Sequence, residues 1–106
     1  MEKYKINFLQ SALDDLDEIV LYISQDSRKS AIVFRDKIIE TTKRLETFPN
    51  IGRLVPDKKM MGSGFRMVIV DNYLLFYKIY SNDIDILRIL HGNRNYPLLW
   101  QSIKKE

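Results

Sequence analysis

The apolar residues of the C-terminal third fall into three runs. Residues 65–96 read FRMVIVDNYLLFYKIYSNDIDILRILHGNRNY, and two short polar breaks, Asp71-Asn72 and Ser81-Asn82-Asp83, divide them. β-branched and aromatic runs punctuated by Asn, Asp and Ser predict an antiparallel meander. Such strands are too apolar to stand alone, so other elements must cover at least one face. Upstream, Tyr4, Ile6 and Phe8 alternate and predict a short first strand that joins the meander. Ser11 then reads as a helix N-cap with Asp14 as the acidic half of a capping box. Leu13, Leu16, Val20 and Ile23 recur at helical spacing behind it. Asp14, Asp15, Asp17 and Glu18 crowd the first turns, where they suit the positive end of the helix dipole and predict a solvated face.

Gln25-Asp26-Ser27 interrupts this pattern, and Asp26 or Ser27 can cap a second helix over residues 28–47. Its buried stripe is Ala31, Phe34, Ile38 and Leu45. The short break between the helices forces an antiparallel hairpin. Phe48-Pro49 ends the second helix, because a residue before proline disfavours helical angles. Residues 50–64 (NIGRLVPDKKMMGSG) form a connection long enough to suggest a functional role. Arg53, Lys58 and Lys59 could reach phosphates from it. Beyond the meander, Pro97 suits the first position of a helical turn, and Leu98, Leu99 and Trp100 are expected to pack back on the core. The pattern is that of an α+β chain, with one domain over residues 1–106.

Composition narrows the chemistry. With no cysteine and one histidine, the 106 residues offer neither a disulfide framework nor a thiolate metal site. No cofactor or metal is expected. No apolar stretch approaches the length of a membrane span, and the first ten residues lack the apolar region of a signal peptide, so an unexported cytoplasmic protein is expected. The net charge of +3 is unevenly placed. Residues 1–27 hold six acids against Lys3 and Lys5, whereas residues 28–106 hold fifteen Lys/Arg against eight acids. A basic body of this kind suits an anionic partner, either nucleic acid or an acidic protein.

The candidate residues form a basic and aromatic set: Arg53, Lys58, Lys59, Arg66, Lys78, Arg88, His91, Arg94 and Tyr96. Strand alternation places Ile84, Ile86, Arg88 and Leu90 on one face and Asp85, Leu87, Ile89 and His91 on the other. Whether Arg66 and Arg88 meet depends on register, which sequence does not fix. Arg88 reads as structural, paired with Asp71 or Asp85. Were RNA the substrate, Arg66 and Arg94 could clamp a phosphate through planar guanidinium groups, and His91 could act as acid or base. Tyr96 could stack on an unpaired base.

In order and spacing, these stretches resemble the RelE/ParE superfamily of toxins from type II toxin–antitoxin modules. The resemblance runs through YKINFLQSALDDLDEIVLYI, FPNIGRLVPD, GFRMVIVDNYLLFYKI and DILRILHGNRNY. It includes the A-x-x-D-L-x-x-I-x-x-Y-I spacing (Ala12, Asp15, Leu16, Ile19, Tyr22, Ile23), Arg66 opening its strand, and the His91-Gly92-Asn93-Arg94 ending. It implies a β-α-α-β-β-β order with the helical hairpin on one face of a small, mainly antiparallel sheet. It also implies a cognate antitoxin that silences the toxin, with the sheet face away from the hairpin as its surface. The motifs look closer to ParE-like members, which implies inhibition of DNA gyrase without a nuclease site. The alternative is a RelE-like, ribosome-dependent mRNA endonuclease, an enzyme in which Arg66, His91 and Arg94 would be catalytic. A second alternative is a non-toxic binding member that regulates its antitoxin. In either toxin, Arg53, Lys58, Lys59 and Tyr96 are expected to touch the target or nucleic acid.

Overall fold

The computed structural model describes residues 3–55 and 64–92; Lys58, Lys59, Arg94, Tyr96 and the run Pro97-Leu98-Leu99-Trp100 lie outside the described residues. The elements are β1 (Lys5–Phe8), α1 (Gln10–Ser24), α2 (Arg28–Thr47), β2 (Arg53–Leu54), β3 (Phe65–Val70), β4 (Tyr73–Tyr80) and β5 (Asp83–His91). They build a five-stranded sheet in the order β1-β5-β4-β3-β2, with α1 and α2 packed on one face. β1 runs parallel to β5 and all other neighbours are antiparallel. The two-residue β2 falls in the stretch expected to be only a loop. A strand this short carries no periodic signal, so sequence pattern could not reveal it.

The meander turns fall at the two polar breaks, where Asp71 and Ser81 take left-handed φ values of 55° and 47°. Ser27 caps α2, its Oγ accepting from the Ser30 N–H at 3.1 Å. Ala31, Phe34, Ile38 and Leu45 are all buried, as the 3.6-residue period predicts. On α1 the buried residues are Ala12 and Ile19, with Leu16, Val20 and Ile23 packed beside them. The expected Leu13 is instead 39% exposed.

Two apolar clusters sandwich the sheet. One joins the helices to Val70, Leu75, Tyr77, Ile84, Ile86 and Ile89. The other, on the opposite face, holds Val55, Phe65, Met67, Phe76, Leu87 and Leu90. Strict alternation along β5 therefore fails past Ile86. Tyr77 pairs with Ile86 and Phe76 with Arg88, which leaves Leu87 as an extra, bulged residue. The bulge sends Ile89 to the helix side and Leu90 to the other, so the expected grouping of Ile84, Ile86, Arg88 and Leu90 is overturned. Register also separates Arg66 from Arg88. Arg66 belongs to the cross-strand row of Tyr77 and Ile86, and Arg88 to that of Met67 and Phe76.

β1 stops opposite Ile86, so the backbone of β5 beyond that point needs other partners. The start of α1 supplies them. The Leu9 N–H donates to the Ile86 carbonyl at 3.0 Å, and Ser11 Oγ donates to the Leu87 carbonyl at 2.9 Å. Asp15 Oδ2 accepts the Ile89 N–H at 3.0 Å. Ser11 is thus not the expected cap. Leu9 occupies the N-cap position without a side-chain bond, and the serine hydroxyl ties the helix to the sheet. Arg88 is structural, but its partner is Asp15 rather than Asp71 or Asp85, through Nε at 2.7 Å and Nη2 at 3.0 Å. Asp71 instead pairs with Lys37 at 2.9 Å, and Asp85 accepts from Asn7 at 3.2 Å.

The Arg88 and Asp15 side chains are only 18% and 13% exposed, so losing one partner strands a desolvated charge on the other. Asp15→Ala also leaves the Ile89 N–H unpaired. Urea unfolding of this variant is expected to show a loss of about 2–4 kcal/mol. A change under half a kcal/mol would mean that the contact is replaceable by water.

Candidate functional site

Tyr77 lies at the centre of the junction between β3, β4 and the turn after α2. A tyrosine at zero exposure must satisfy its hydroxyl. Its Oη donates to the Pro49 carbonyl at 2.7 Å and accepts the Gly52 N–H at 3.0 Å. Arg66, directly across from Tyr77 on β3, donates from Nη1 to the Gly52 carbonyl at 2.7 Å. Both polar groups of Gly52 are therefore held by side chains. A Cβ at Gly52 would sit 2.5 Å from Tyr77 Oη and 2.8 Å from the Met67 carbonyl, so no larger residue fits. Together these contacts fix the Phe48-Pro49 turn on the sheet and set the start of β2.

Arg53 opens β2 and is exposed. It pairs with Met67, whereas Leu54 pairs with Arg66, so the two arginines occupy adjacent rows on opposite faces. Lys78 lies over the Phe65 ring at 5.0 Å and the Tyr80 ring at 4.9 Å, a cation–π arrangement that holds the ammonium at the strand surface.

His91 stands at the far end of the helix-side face. It pairs with Tyr73, and the two rings meet edge to face at 5.3 Å. Tyr73 in turn packs against Phe34 of α2 at 5.0 Å. Beside them a groove of about 350 Å³ runs between α1 and the end of β5, lined in part by Glu18, Tyr22, Tyr73, Ile89 and His91. Arg66 and His91 do not meet. Their partners Tyr77 and Tyr73 are four residues apart on β4, which places them about 13 Å apart along the strand. Among the described residues, no group of three His, Cys, Asp or Glu could hold a metal ion. No described helix is long and apolar enough to cross a membrane.

The family model described as "ParE toxin of type II toxin-antitoxin system, parDE" matches residues 6–96. The chain belongs to the ParE toxin family. It is the toxin component of a type II toxin–antitoxin system. It is 31% identical over 98 residues to the "Putative toxin Y4kP" of Sinorhizobium fredii (strain NBRC 101917 / NGR234), covering 92% of this chain and 97% of that one. A solved structure titled "Chromosomal ParDE TA system from P. aeruginosa" has a similar fold, with a TM-score of 0.68 and 21% identity. It covers 84% of this chain and 96% of its own.

In this ParE-family toxin the motif residues now have physical roles. The Asp of A-x-x-D-L-x-x-I is Asp15, which caps the exposed edge of β5, and the Gly of FPNIGR is Gly52, held by Tyr77 and Arg66. Sequence reasoning placed Gly52 beside a phosphate-reaching Arg53 and passed over Tyr77, which holds it. The usable signal was a tyrosine inside the apolar run LLFYKIY, whose hydroxyl requires a buried partner.

Burial pushes the Tyr77 phenol above the ordinary tyrosine range, and the Gly52 N–H and the nearby Arg66 charge offset part of that rise. Burial and then Tyr22 raise Tyr73 likewise. A phenol whose folded pKa exceeds its unfolded value of about 10 contributes stability below that value and loses it as pH rises through the folded pKa. Unfolding free energy should therefore fall above pH of about 10, and less steeply in Tyr77→Phe. At neutral pH Tyr77→Phe should lose about 1–3 kcal/mol, because it leaves the Gly52 N–H unpaired. Equal slopes of the two alkaline limbs would remove Tyr77 as the source.

Proposed function

We propose that this toxin acts in the cytoplasm by inhibiting DNA gyrase, and that a cognate antitoxin holds it inactive. The reading rests on family membership, and one observation favours gyrase over RNA cleavage. Cleavage needs a phosphate-clamping cation and an acid or base converging on one phosphodiester. Arg66 is instead engaged by the Gly52 carbonyl, about 13 Å along the strand from His91. Among the described residues those two candidates do not converge. Arg53, exposed beside the clamped turn, is the described cation best placed to meet an acidic surface on a protein target. Arg94, Lys58, Lys59 and Tyr96 remain candidate contacts with the target on sequence grounds.

The test pairs two assays on one preparation. Purified chain added to gyrase and relaxed plasmid should block supercoiling, and co-purified antitoxin should restore it. The same chain in a translating extract should leave mRNA intact. Site-specific mRNA breaks together with unimpaired supercoiling would assign it to the ribonuclease branch.

A further inference from the structure

Val55, Phe65, Met67, Phe76, Leu87 and Leu90 form the apolar cluster on the sheet face away from the helices, and none is more than 7% exposed. Among the described residues, no side chain of α1 or α2 belongs to this cluster; Leu9 and Leu74 pack beside it. Neighbours within a sheet screen only the flanks of a side chain, so an outward face without a cover stays in contact with water. Ile69 shows the uncovered case. It follows Met67 on the same face of β3 and is 66% exposed, against 3% for Met67.

The buried positions make a diagonal band. It runs from Leu90, near the end of β5, through Leu87, Phe76 and Met67 to Phe65 and Val55 at the start of β3. Exposed Ile69 bounds it on one side and exposed Tyr80 on the other. A cover must therefore cross the sheet from one corner to the other.

Two stretches of the chain could supply it. Residues 56–63 leave and return at one corner, because the Val55 N–H donates to the Phe65 carbonyl at 3.0 Å. Leu90 pairs with Leu74, and Leu74 with Ile69, so Leu90 lies two strands across from β3 and four residues along it from Phe65. That separation is roughly 17 Å. Residues 56–63 would have to run straight out and straight back to reach it, and Met60 and Met61 are their only large apolar side chains. Residues 93–106 begin at the opposite corner, three positions beyond Leu90, and carry Leu98, Leu99 and Trp100. Asn93 to Trp100 spans up to about 26 Å when extended, enough to cross the whole band.

We infer that Leu98, Leu99 and Trp100 lie along this band and complete the second core of their own chain. The sheet face expected for the antitoxin is thereby occupied in the free toxin.

Trp100 is the one tryptophan of the chain, and there is no cysteine, so the full-length protein carries its own probe. Native Trp100 fluorescence should lie at shorter wavelength than in urea, and iodide should quench it far less than in the unfolded chain. A nitroxide attached at Ile69→Cys, beside the band, should dim it. The same label at Ile32→Cys, an exposed site on the helix layer, should not. Both substituted positions are exposed, and circular dichroism of each labelled variant should match the parent. The shielding should persist at dilutions where sedimentation gives the 12.6 kDa of a single chain. Native emission and quenching equal to those in urea would overturn the inference, as would dimming from Ile32→Cys but not from Ile69→Cys. Shielding confined to concentrations where the chain sediments as a dimer would give the band to a second copy. Shielding that appears only with added antitoxin would give it to the antitoxin, and either result would likewise overturn the inference.

Discussion

The Asp15 carboxylate joins the two layers of this toxin. One oxygen takes the Ile89 N–H and Arg88 Nε, and the other takes Arg88 Nη2. This matters because β1 is too short to pair with the whole of β5, and the exposed remainder lies beside a bulge. An uncovered strand edge leaves backbone groups unpaired and invites pairing with other chains. The first turns of α1 close that edge, and in doing so they fix the helical hairpin over the sheet. The placement of Ala12 and Ile19 in the core follows from the same contact, since both lie within four residues of Asp15 on the helix.

A second junction organises the other side of the sheet. Tyr77 and Arg66 grip both polar groups of Gly52, so the turn after α2 is bound to the middle of β3 and β4. The two junctions engage Arg66, which the sequence offered as a phosphate clamp, and Arg88, which it read as structural. Arg88 neutralises a buried carboxylate, and Arg66 completes a backbone carbonyl.

Much of this was legible in the chain. The two helices, four of the five strands and both meander turns follow from period and punctuation, because each is long enough to repeat its signal or carries Asp or Asn at the turn. What escaped was non-local. Asp15 looked like a dipole-matched surface acid because its partner lies 73 residues away in sequence. Ser11 looked like a cap because local spacing allows that bond, yet its hydroxyl serves Leu87 instead. The Leu87 bulge inverted the faces of the last strand, and alternation cannot foresee an inserted residue. Arg66 stood out by its type and position, while the group that holds it, the Gly52 carbonyl, has no side chain to announce it.

The claim that Arg66 belongs to the fold is tested most directly by a double-mutant cycle. Unfolding free energies would be measured for the parent, Arg66→Ala, Tyr77→Phe and the combined variant. Arg66→Ala should lose about 1–3 kcal/mol, and the two substitutions should fail to add by at least about 0.5 kcal/mol, because both act on Gly52. An Arg66→Ala chain as stable as the parent but no longer toxic would contradict the account and return this arginine to the chemistry of the target.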